Sequence, residues 1–86
     1  MVRPDLRDVE ERLLRALARA SGSLPDEQLH DMRSLVEAGE PGIALENLCT
    51  QLHEYDVSVS QDLATELGDL AGAMGLRVSP PLKVTP

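Results

Sequence analysis

In four separate stretches, apolar residues recur at intervals of three and four, and three of the stretches are closed at once by glycine or serine. That spacing puts a stripe on one side of a helix, and it conflicts with the two-residue alternation of a half-buried strand. Leu6, Val9, Leu13, Leu17 and Ala20 make the first stripe, with Leu14 beside it, and predict a helix from about Pro4 to Ala20. Pro4 suits a first-turn position. Asp8 with Arg12, and Glu11 with Arg15, are acid-before-base pairs four apart that support the solvent face. Ser21-Gly22-Ser23 breaks the pattern.

A second helix is predicted from about Pro25 to Ala38, with Asp26 and Glu27 in its first turn, where the helix dipole favours negative charge. Leu29, Met32, Leu35 and Val36 form its apolar side, and Gly39 is its stop. Pro41 opens a third helix almost at once. Ala44, Leu45, Leu48, Cys49, Leu52 and Tyr55 share its broad apolar face, while Glu46, Asn47, Thr50 and Glu54 point the other way. Asp56-Val57-Ser58-Val59 reads as a connector rather than a strand. Ser60 then caps a fourth helix, Gln61 to Met74, with Leu63, Leu67, Leu70, Ala71 and Met74 as its stripe and Gly75 as its stop. The expected architecture is all-α: one compact bundle of about four short amphipathic helices over residues 1–76, followed by an extended or disordered Pro-rich tail over 77–86.

The core must be built from small pieces, because 86 residues contain no Trp, no Phe and one Tyr. Without the large areas that aromatics bury, stability on the order of 5 kcal/mol is expected. A wide substrate cavity would compete with so small a core, which argues against a small-molecule enzyme. A single cysteine, Cys49, excludes an internal disulfide and suits a reducing compartment. No basic region followed by an apolar run resembles a signal peptide, and no run approaches bilayer length. A cytoplasmic location is expected.

Charge is unevenly distributed. Residues 1–20 nearly balance five arginines against four acids, whereas residues 21–75 hold eleven acids and one base, Arg33, a local balance of −10. Such a field repels nucleic acid and anionic lipid, and it speeds encounter with a cationic protein. Acidity also serves simply to keep a protein in solution. The acidic rim of the second and third helices, Glu37, Glu40, Glu46, Glu54 and Asp56 with Tyr55 among them, is the candidate partner-binding surface. Tyr55 has two readings, an anchor for a partner or a core ring.

Other chemistry is thinly represented. Glu46, Cys49 and His53 share one side of the third helix, yet a structural zinc site normally needs a fourth ligand and a catalytic one an open position. Cys49 and His53 could approach as a nucleophilic pair, but no glycine-rich turn or helix N-terminus faces them to stabilise an oxyanion. No phosphate-binding loop or His-Glu zinc motif occurs. Neither a metal nor a cofactor is expected. Gly68 and Gly72 fall on the outward face of the fourth helix, where each costs about 1 kcal/mol against alanine.

The segment Leu35-Val36-Glu37-Ala38-Gly39-Glu40-Pro41-Gly42-Ile43-Ala44-Leu45-Glu46-Asn47-Leu48-Cys49-Thr50-Gln51-Leu52, continuing His53-Glu54-Tyr55-Asp56, resembles the central part of MafI-type immunity proteins. There a glycine-acid turn leads into an Ala-Leu-Glu-x-Leu-Cys helix and an acidic-aromatic end, followed by a loop and another helix, as Val57 to Met74 would be. The resemblance covers roughly residues 29–75. It implies neutralisation of a cognate bacterial toxin by tight binding, in many such systems a nuclease with a basic surface. The competing expectation is an acidic cytosolic adaptor or carrier-like domain. Carrier proteins attach a cofactor at an Asp-Ser-Leu motif opening a helix, whereas Ser34-Leu35 here follows Arg33 inside the second helix. The sequence leaves monomer and homodimer both open.

Overall fold

The computed structural model describes residues 5–79 and 81–86, so the proposed role of Pro4 lies outside the described residues. Four helices appear in the expected order: α1 (Leu6–Arg19), α2 (Asp26–Glu37), α3 (Pro41–Glu54) and α4 (Gln61–Ala73). Two short strands accompany them, β1 (Ser58–Val59) and β2 (Lys83–Val84). Each helix end agrees with its sequence punctuation to within one or two residues. Asp5 caps α1 by accepting from the Arg7 amide at 3.0 Å, and Ser60 caps α4 by accepting from the Leu63 amide at 3.1 Å.

Three helices end on the same hydrogen-bond pattern. After α2, the Glu40 amide reaches back to the Leu35 carbonyl and Gly39 to Val36; after α4, Leu76 reaches Ala71 and Gly75 reaches Gly72. Gly39 and Gly75 hold φ of 82° and 69° there, the left-handed conformation this closure requires. After α3, Val57 reaches Leu52 and Asp56 reaches His53. Asp56 therefore stands where the other two helices carry glycine, at φ 54°. Aspartate tolerates this conformation better than most side chains.

Helix α1 packs against all three other helices, and α3 lies closely on α2. The stripes meet in one core that includes Val9, Leu13 and Leu17 of α1, Met32 and Val36 of α2, Leu45, Leu48 and Leu52 of α3, and Leu67 and Leu70 of α4. Among the described residues no polar or charged side chain is buried. Leu6 was expected on the α1 stripe but is 55% exposed, and Ala16 takes a buried place instead. Leu6 is the first residue of α1, so no preceding turn of that helix extends the stripe over it.

The connector after α3 corrects the sequence reading: Ser58 and Val59 do form a strand, paired in parallel with Lys83 and Val84. Parallel strands need a crossover of a dozen or so residues, and α4 supplies it. The tail thus runs extended and returns to the body, with Val78 and Leu82 half-buried against the core. A radius of gyration of 11.9 Å matches the roughly 12 Å expected of a compact chain of this length.

Candidate functional site

Helix α3 buries Ala44, Leu45, Leu48, Cys49 and Leu52 and turns a second stripe to solvent. That stripe runs Ile43, Glu46, Asn47, Thr50, His53 and Glu54, all exposed, at helical spacings of three and four. Glu37 and Glu40 are exposed at its N-terminal end, and Tyr55 and Asp56 at its C-terminal end. All six sequence-predicted site residues are therefore on the surface, strung along α3. They do not form one cluster, because fourteen helical residues separate the two ends by about 20 Å.

Two large apolar side chains punctuate this face. Ile43 is 47% exposed and Tyr55 50% exposed, and the core contains no aromatic ring. The tyrosine thus takes the surface position of the two readings open to it. Ile43 was absent from the expected site, although a signal was present: it is the one large aliphatic residue outside the α3 apolar arc. Among the described residues Glu37, Glu40, Glu46 and Glu54 have no cationic partner within ion-pair distance, since the three ion pairs found involve other acids.

Asp56 differs. Its carboxylate is paired with the Lys83 ammonium of β2, and the hydrogen bond and charge of that lysine hold its pKa below the ordinary aspartate range. Its charge is already answered from within the chain, which sequence separation concealed.

The remaining candidate chemistry separates in space. Cys49 is buried, and desolvation, with a smaller push from the nearby Glu46 charge, raises its thiol pKa to about 11. Glu46 and His53 are exposed. Among the described residues no group of three or more His, Cys, Asp or Glu side chains is placed to hold a metal ion. A buried protonated thiol is also poorly suited to attack a substrate. Ser34 is exposed within α2, and its hydroxyl donates to the His30 carbonyl at 3.0 Å, so it does not open a helix as a carrier serine would.

The basic residues gather elsewhere. Arg12 forks onto Glu66 of α4, and Arg15 and Arg19 add positive potential there; together they depress the Glu66 pKa, with the Arg12 hydrogen bond the largest cause. Arg19 also donates to the Ser60 hydroxyl at 3.1 Å. Arg12, Arg15 and Arg19 of α1 thus serve the α4 seam and not the α3 face. No helix among the described residues is long and apolar enough to cross a membrane. Comparison of the chain with protein-family models, with curated proteins and with solved structures found no match.

Proposed function

We propose that this chain is a non-catalytic, cytoplasmic immunity protein that neutralises a cationic bacterial toxin by covering it with the α3 face. The observation that carries the reading is the composition of that face: exposed Ile43 and Tyr55 flank glutamates that have no cationic partner among the described residues. Apolar anchors ringed by charge suit a protein partner, because the anchors supply contact area while the carboxylates steer encounter and reject acidic competitors. A toxin that acts on nucleic acid carries a basic surface for phosphate, and a row of carboxylates about 20 Å long could occupy it. The resemblance of residues 29–75 to MafI-type immunity proteins points the same way.

Co-expression of this chain with the product of its adjacent gene tests the reading. Rescue of growth, a complex that co-purifies, and loss of both on reversing Glu40, Glu46 and Glu54 to lysine are the expected results. A toxic neighbour that is neither bound nor neutralised would overturn the pairing, and binding without any toxicity would favour an adaptor instead.

A further inference from the structure

We draw no further inference here: the strongest candidate, the cleft of about 210 Å³ between Arg19 of α1 and the N-terminus of α4, carries nothing because Arg19 already donates to the Ser60 cap and, among the described residues, no buried polar side-chain atom is left without a partner to point to a ligand.

Discussion

Arg12 of α1 and Glu66 of α4, 54 residues apart in the chain, form a two-pronged ion pair across the bundle, with Arg12 Nε 3.2 Å from Glu66 Oε2 and a terminal nitrogen on Oε1. Asp8 is a lesser partner at 3.7 Å. The i, i+4 pair legible in the sequence is thus secondary to a tertiary one. A planar fork on a carboxylate fixes orientation as well as distance, so this contact helps set how α4 lies on α1.

Glu66→Gln is expected to lower stability by about 1 kcal/mol at neutral pH, a modest figure because solvent reaches both side chains. Glu66 has a depressed pKa in the folded protein. Its contribution is therefore present above the ordinary carboxylate pKa and is lost as pH falls through the lowered value. Urea unfolding of the wild type and Glu66→Gln should differ at pH 7 and converge in acid. A difference that persists with Glu66 protonated would mean that packing, not charge, is what the substitution disturbs.

Gly68 and Gly72 are expected to be weak points in α4 with no packing role. A Cβ built at either position meets nothing within 4 Å, and both are exposed. Gly68→Ala and Gly72→Ala should each stabilise by about 0.5–1 kcal/mol, raising the melting temperature by several degrees. Gly75→Ala is the internal control, because φ of 69° there strains any L side chain and should reverse the sign. Thermal melts of the three variants, compared side by side, check the pattern.

The helices were legible because two independent signals coincide in them, a stripe of period 3.6 and terminal residues with a stereochemical reason to be there. Ser60 and Gly75 bracket α4 in the sequence as they do in the structure. The pairing of Ser58–Val59 with Lys83–Val84 was not legible, since two residues display no periodicity and their partner lies beyond a helix. Exposure of the acidic candidate site residues followed from the helical wheels and the helix ends, whereas the α3 wheel placed Tyr55 in the apolar arc and left its exposure open. That Lys83 answers Asp56 depended on where the tail returns, whereas Ile43 was legible as the large aliphatic residue outside the α3 arc.

Cys49 should behave as a core residue towards thiol reagents. With a pKa near 11, about one molecule in a thousand carries the thiolate at pH 8, and burial keeps reagents away as well. Modification by a disulfide reagent is expected to be slow in native buffer and to accelerate across the urea transition. Fast labelling of the folded protein would contradict the burial of the third helix stripe and reopen a chemical role for this residue.

The charged and apolar members of the α3 face should act on different steps of partner binding. Glu40, Glu46 and Glu54 are exposed and unpaired among the described residues, so their fields extend into solvent and act before contact. Replacing them with glutamine should slow association with a cationic partner, and raising salt should slow the wild type towards the same rate. Ile43 and Tyr55 act only once water leaves the interface, so Ile43→Ala and Tyr55→Ala should speed dissociation with little change in association or salt dependence. Surface-binding kinetics at two ionic strengths separate the two classes. If Ile43→Ala left dissociation unchanged while the glutamates still mattered, the partner would be held by long-range charge alone, and α3 would be a steering surface whose close contact lies elsewhere.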